Sequence, residues 1–278
     1  MKAVHVDLAK EYPFLHGGTL DCLAIDFPMD GDNTCGWKRP AVVVVAGGGY
    51  ACVSKREAEP VATAFLARGF QTFSLTYIFG EEEARYPEQL LELAAAVDYV
   101  KKNADAFHVN PNEVFVVGFS AGGHLTGNLA VEYASASEKA GAVLDCKPTA
   151  VGLCYPVITS DHGHMGSYEN LLKGYTEEAR TELLKTLDLD KAVSKQTPPA
   201  FIWATADDQV VPADNALRYA LALARKGIDY ELHIYPHGPH GFSTASLEIN
   251  QPHDGLYRVA RWLDDCAAFF RQYTIEKF

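Results

Sequence analysis

A serine lies between two glycines in the run Gly118-Phe119-Ser120-Ala121-Gly122, which is a GxSxG pattern. The apolar residues before the run predict a strand and the residues after it predict a helix, the context in which this pattern holds a nucleophile. Glycines two residues on either side leave room for the sharp turn that exposes the serine hydroxyl. The pattern therefore indicates Ser120 as a nucleophile for acyl transfer, the alternative being an ordinary glycine-rich start of a helix.

Three consecutive glycines follow a β-branched segment and precede Tyr50. A tetrahedral oxyanion needs two or three backbone N–H donors, and glycines let the backbone approach a substrate closely. We expect the N–H groups of Gly48, Gly49 and Ala121 to form an oxyanion hole, with Tyr50 contacting the substrate. The run matches neither the GxGxxG nor the GxxxxGK[ST] phosphate-binding pattern, which leaves a flexible turn as the alternative.

Two later segments offer an acid and a base. Asp207 and Asp208 lie in TADDQVVP after a predicted strand, and His240 lies in HGPHGF after the last one. A histidine can take the serine proton, and a carboxylate can hold the histidine in the required tautomer. We favour Asp208 because it stands three residues before Val211, in a Val-Pro pair that begins the next helix. A zinc site at His237 and His240 is disfavoured because no third ligand is implied. The alternative to the acid is an ordinary Asp-rich turn before a helix, and the alternative to the base is an ordinary loop histidine.

Predicted strands and helices follow one another in alternation along the chain, and they must position these residues. This alternation predicts a mostly parallel sheet with helices on both faces, and each candidate segment follows a strand at the edge where such sheets place their sites. The order Ser, Asp, His is that of the α/β-hydrolase fold. We predict one domain over residues 1–278, an antiparallel edge from residues 3–7 and 20–27, and an insertion at about 160–194. Predicted central strands cover residues 41–45, 70–76, 114–117, 150–155, 200–205 and 230–235, and predicted helices cover 57–68, 87–102, 212–226 and a long segment with apolar residues from 256 to 270.

The composition limits the class of partner. Apolar residues make up 48% of the chain, an ordinary globular value that excludes a disordered chain. A net charge of −12 disfavours nucleic acids and anionic membranes but not neutral esters. The chain has no apolar stretch long enough to span a bilayer, no N-terminal signal-peptide pattern, and six widely spaced cysteines. We therefore expect a cytoplasmic protein with free thiols and no membrane partner; a homodimer is compatible with the sequence.

Several segments carry a family resemblance: VVVVAGGGYACVSKREAEPVA, RYPEQL, GFSAGGHL, GSYENLL, FIWATADDQVVP and HGPHGF. They resemble small acetyl esterases of the α/β-hydrolase superfamily, in particular the bifunctional feruloyl/acetyl esterase group and acetylxylan esterases, over residues 41–242. The resemblance implies a three-layer αβα fold with a small cap, a serine triad without metal or organic cofactor, and acetyl esters of xylose-containing saccharides as substrates.

Other interpretations stay open beside this one. A feruloyl esterase or an aryl-formamidase would use the same triad, and a lipase is a third hydrolase to consider. A non-catalytic receptor on this fold usually lacks the histidine, and this chain has His240. We expect His124 to be a packing residue at the base of the site. His162 and His164 lie in the insertion, either at the mouth of the pocket or in a solvated loop.

Overall fold

The computed structural model describes residues 1–26, 38–80, 82–253 and 255–275. Within these residues eight strands form one sheet. The strands are β1 (Lys2–Asp7), β2 (Thr19–Ala24), β3 (Arg39–Val45), β4 (Gln71–Thr76), β5 (Val109–Phe119), β6 (Val151–Cys154), β7 (Ala200–Thr205) and β8 (Tyr230–Tyr235). Their order across the sheet is β1-β2-β4-β3-β5-β6-β7-β8. The pairs β1–β2 and β2–β4 are antiparallel and the other pairs are parallel, which confirms the predicted mostly parallel sheet.

Helices cover both faces of this sheet. They are α1 (Leu8–Glu11), α2 (Glu59–Ala67), α3 (Glu88–Lys102), α4 (Ala121–Ala140), α5 (Met165–Leu171), α6 (Glu177–Leu187), α7 (Leu189–Ala192), α8 (Asp214–Lys226), α9 (Leu256–Val259) and α10 (Trp262–Arg271). One apolar core lies between the sheet and α3, α4 and α8, and a second lies between the sheet and α2 and α10. The three-layer αβα arrangement predicted from the alternation of elements is confirmed.

The central strands are buried on both faces, which explains their composition. Residues 41–45 of β3 are each at most 1% exposed. A strand covered by helices on both sides needs apolar residues at every position, so a continuous β-branched run replaces the alternating pattern of a half-exposed strand. Because the buried strands are continuous apolar runs, they can be distinguished in the sequence from the helices between them.

Several elements differ from their predicted bounds, most by one or two residues, and β5 begins at Val109, five residues before its predicted start. The predicted long C-terminal helix is divided into α9 and α10 at Ala260 and Arg261, which keep right-handed helical dihedrals. The helical spacing of apolar residues therefore continues through Ala260 and Arg261, and the sequence pattern does not indicate where α9 ends and α10 begins. The second strand ends at Ala24, and Phe27, the predicted end, lies outside the described residues.

The segment between β6 and β7 contains α5, α6 and α7, and it is the segment predicted as an insertion. Leu171, Leu187 and Leu189 bury their side chains in the core on the α4 side of the sheet. The segment is therefore anchored to the domain by apolar packing.

In the described part of the chain, no helix is both long enough and apolar enough to cross a membrane. The five described cysteines, Cys22, Cys52, Cys146, Cys154 and Cys266, are free thiols. The sixth, Cys35, lies outside the described residues.

Candidate active site

Ser120 occupies the junction between β5 and α4. Its φ of 52° and ψ of −120° lie in a region that is unfavourable for a residue with a side chain. A Cβ on Gly122 would overlap the carbonyl oxygen of Val45, and one on Gly118 would overlap the hydroxyl of Thr126. Both glycines of the motif are therefore required by the packing of this turn against its neighbours.

His240 lies between Ser120 and Asp208. Its Nε2 is 2.8 Å from the Ser120 Oγ, and its Nδ1 is 2.7 Å from the Asp208 Oδ2. The other Asp208 oxygen accepts hydrogen bonds from the backbone N–H groups of Val210 and Val211, at 2.8 and 3.0 Å. A carboxylate held this way accepts from Nδ1–H, which leaves Nε2 free to accept the serine proton.

The adjacent Asp207 points elsewhere. It accepts a hydrogen bond from the backbone N–H of Gly238 at 2.7 Å and lies 3.1 Å from the Nδ1 of His237. The Gly238 bond, followed by the His237 bond, lowers the pKa of Asp207. The structure thus brings Asp208, and not Asp207, to His240, as the spacing to the Val-Pro pair predicts. Among the described residues, no group of three or more His, Cys, Asp or Glu side chains is arranged to hold a metal ion.

The glycine run after β3 offers backbone donors at the same edge of the sheet. Gly48 and Gly49 have φ of 130° and 63°, values that favour glycine. The N–H of Gly47 donates to the Glu57 Oε2 at 2.8 Å and is therefore occupied. Within the described residues, the N–H groups of Gly48, Gly49 and Ala121 have no hydrogen-bond acceptor. These three are the donors that the sequence predicts for an oxyanion.

Glu57 is a buried acid that the sequence reasoning did not identify. It is 4% exposed, accepts the Gly47 N–H, and also accepts the Tyr155 hydroxyl at 2.7 Å. The Tyr155 hydroxyl in turn accepts the Ser243 N–H at 3.0 Å, and the edge-on rings of Tyr155 and His240 lie 4.9 Å apart. Burial raises the pKa of Glu57. Its carboxylate joins the glycine loop to the segment that carries His240.

The sequence did not reveal that Glu57 joins these two segments, because an acid near the start of a helix is usually explained by its interaction with the helix dipole. Carboxylates near helix N-termini commonly stabilise the helix dipole from the protein surface. Glu57 and Glu59 flank the start of α2 and look equivalent in the sequence, but only Glu57 is buried. The segment REAEPVA was a signal of family resemblance, and its first glutamate is the residue with the contacts.

Tyr50 lies below the glycine loop instead of facing solvent. It is 3% exposed, and its hydroxyl is 2.8 Å from the Nδ1 of His124. The His124 Nε2 is 3.0 Å from the Leu187 carbonyl oxygen. Burial lowers the pKa of His124 to about 4, so the neutral ring donates to Leu187 and accepts from Tyr50. The structure buries Tyr50 against His124 and places His124 in the packing position expected of it.

The insertion contacts the glycine loop from the other side. The Asn170 side-chain amide donates to the Gly49 carbonyl at 2.9 Å, and the His164 Cε1 lies 3.8 Å from where a Cβ on Gly49 would be. The exposed His162 instead faces Asp214, with its Nδ1 3.8 Å from the Oδ2. Of the two insertion histidines, His164 therefore borders the site and His162 does not.

The fold and this site together define an α/β hydrolase. The profile of the BD-FAE family matches residues 29–223, which is more than half of the chain. The chain belongs to the BD-FAE family.

Two relatives carry similar sequences. The chain is 34% identical over 217 residues to endo-1,4-beta-xylanase B of Butyrivibrio fibrisolvens, covering 76% of this chain and 34% of that protein. It is 32% identical over 236 residues to the acetylxylan esterase of Xylanibacter ruminicola, covering 82% of this chain and 46% of that protein. The chain thus spans less than half the length of these relatives.

Solved structures resemble the chain over nearly its whole length. The acetyl ester-xyloside bifunctional hydrolase of Caldicellulosiruptor lactoaceticus is 31% identical, with a TM-score of 0.81, and the match covers 97% of this chain and 96% of that one. The carboxylesterase Cest-2923 of Lactobacillus plantarum is 25% identical, with a TM-score of 0.84 and 98% of both chains covered. These likenesses are consistent with a carboxylic-ester hydrolase.

Proposed function

We propose that this protein is a serine carboxylic-ester hydrolase that removes short acyl groups, above all acetyl, from small or carbohydrate esters. The observation that carries the proposal is the hydrogen-bonded series Ser120, His240 and Asp208. It lies beside a glycine loop in which the N–H groups of Gly48 and Gly49 have no acceptor among the described residues. This combination of a nucleophile, a base, an orienting acid and oxyanion donors is suited to acyl transfer.

The reaction proceeds through an acyl-enzyme. The Ser120 Oγ attacks the ester carbonyl carbon while the His240 Nε2 takes its proton. The tetrahedral intermediate expels the alcohol, whose oxygen receives that proton from Nε2. Water then attacks the acyl-enzyme with His240 again as base, and the acid leaves as Ser120 regains its proton. Asp208 holds the histidine tautomer and stabilises the imidazolium in both steps.

The negative charge of the tetrahedral intermediate falls on the former carbonyl oxygen. The N–H groups of Gly48, Gly49 and Ala121 are the donors proposed to receive it. Because they are fixed in the backbone, they need no reorganisation as the charge develops, and the loss of one such donor typically lowers kcat by about 10²- to 10³-fold.

The substrate class is supported by the relatives and by charge. An acetylxylan esterase and an acetyl ester-xyloside hydrolase are among the proteins that resemble the chain. A net charge of −12 presents no barrier to a neutral acetylated saccharide. We propose action in the cytoplasm on short oligosaccharides, with neither a nucleic-acid nor a membrane partner and with no cofactor.

The test is a hydrolysis panel of p-nitrophenyl acetate to octanoate together with peracetylated xylose. We expect acetyl esters to give the highest kcat/KM, and Ser120→Ala to lower kcat by about 10⁴-fold or more. A phosphonylating serine inhibitor should add mass at Ser120 alone. Ser135→Ala, in the same helix, is the matched control and should retain activity.

Other outcomes select among the alternatives. Full activity in a pure Ser120→Ala preparation would contradict the mechanism. A rate that climbs steadily with acyl length would favour a lipase, and preference for feruloyl esters or aryl-formamides over acetyl esters would favour those activities on the same triad.

A further inference from the structure

A groove of about 430 Å³ lies beside the proposed catalytic histidine. His240, Phe242 and residues 250–253 are part of its lining, together with Arg56 from the segment before α2. In the proposed reaction, His240 delivers its proton to the leaving oxygen, so the alcohol portion of the ester must lie next to this side chain. The groove is therefore on the alcohol side of the reacting bond.

Arg56 is the cation of this groove, and its observed partners are neutral. Its Nη2 donates to the Gly241 carbonyl at 3.1 Å and to the Asn250 side-chain oxygen at 2.8 Å. These two bonds hold the exposed guanidinium against the groove. Among the described residues Arg56 forms no ion pair, and its Nε and Nη1 donors have no acceptor.

The nearest buried acid does not occupy these donors. The carboxylate of Glu57 faces the other way, where it accepts hydrogen bonds from Gly47 and Tyr155. A guanidinium presents donors in a planar fork that matches the two oxygens of a carboxylate. On a chain with a net charge of −12, one such cation at the mouth of a groove suits a ligand with a single negative charge better than a dianion.

We propose that the groove bordered by Arg56 and His240 binds the leaving alcohol, and that Arg56 makes it prefer an alcohol that carries one carboxylate, such as a uronic acid. This inference rests on the proposed ester hydrolysis and specifies its substrate. Pro252, an exposed apolar residue of the lining, would contact the sugar ring, while the carboxylate meets the guanidinium donors that have no acceptor among the described residues.

The test compares two acetyl esters of methyl glucuronoside that differ only at C6, one a free carboxylate and the other its primary amide. We expect kcat/KM to favour the acid about fivefold at low salt, the size of an exposed ion pair. The preference should shrink in 0.5 M salt because an exposed pair is screened. In Arg56→Gln the ratio should fall to about one, whereas Arg56→Lys should keep part of it. The ratio cancels any general loss of activity in a variant.

Arg225→Gln, at the exposed end of α8, is the matched control and should keep the wild-type ratio. Equal rates for acid and amide in an enzyme that hydrolyses p-nitrophenyl acetate would overturn the groove assignment alone. The same holds for an acid preference that persists in Arg56→Gln. Failure to hydrolyse any of these esters would overturn the proposed function itself.

Discussion

Replacing Glu57 with glutamine tests whether this buried acid holds the glycine loop in the position in which its N–H groups can bind an oxyanion. The glutamate receives two donors, the Gly47 N–H at 2.8 Å and the Tyr155 hydroxyl at 2.7 Å. Glutamine has one acceptor oxygen and a donating amide, so it can keep only one of these bonds. If the oxygen stays on Gly47, the amide faces the Tyr155 hydroxyl oxygen, which already accepts from Ser243, and the hydroxyl proton loses its partner.

The expected magnitude follows from that lost bond. A hydrogen bond to a charged group contributes about 1.5–3 kcal/mol. If the whole of it is lost from transition-state stabilisation, kcat falls by about 10- to 150-fold. KM should change little, because the loop donors act on charge that develops only after the substrate is bound.

The assay is steady-state hydrolysis of p-nitrophenyl acetate with inhibition by a trifluoromethyl ketone, which forms a tetrahedral adduct and should bind Glu57→Gln more weakly. Glu59→Gln, two residues later and exposed, is the matched control and should behave as wild type. Thermal unfolding of both variants shows whether a loss of activity comes from a less stable fold or from a displaced glycine loop in a stable fold. A kcat within twofold of wild type, or a loss confined to KM, would refute the reasoning.

Further expectations follow from other contacts. Asp208→Asn should lower kcat by about 10³- to 10⁴-fold while Asp207→Asn should lower it about tenfold, because Asp208 bonds the imidazole of His240 and Asp207 does not. Steady-state kinetics that reverse this order would move the acid to Asp207. His124, whose pKa burial lowers to about 4, stays neutral in the native state while the unfolded chain takes up a proton near its ordinary value of 6.5. The free energy of unfolding should therefore decrease as pH falls from 6.5 towards 4, by up to about 3 kcal/mol; urea unfolding at pH 7 and 4.5 should show a smaller decrease in His124→Gln, and equal decreases would speak against it. Gly122→Ala should lose soluble yield and activity because its Cβ would overlap backbone carbonyls that cannot rotate away, and an active variant with wild-type melting temperature would contradict this.

Features carried within one short segment were open to prediction. The β-branched run of residues 41–45 indicated a strand buried on both faces, and the two glycines around Ser120 indicated a turn that admits no Cβ. The distinction between Asp208 and Asp207 also proved local in the structure, because Asp208 is oriented by the N–H groups of the Val-Val pair that follows it. Each of these depends on backbone geometry or burial that a few neighbouring residues impose.

Features that depend on which distant segments meet required the tertiary structure. Tyr50 was expected at the substrate, but its ring turns into the core to meet His124. Glu57 acquires its position from Tyr155, 98 residues away, and Arg56 borders a groove because Asn250, 194 residues away, holds it there. Packing between elements far apart in sequence determines the burial and the polar partners of these residues. The residue pattern within one segment does not indicate which side chain from another segment will contact it.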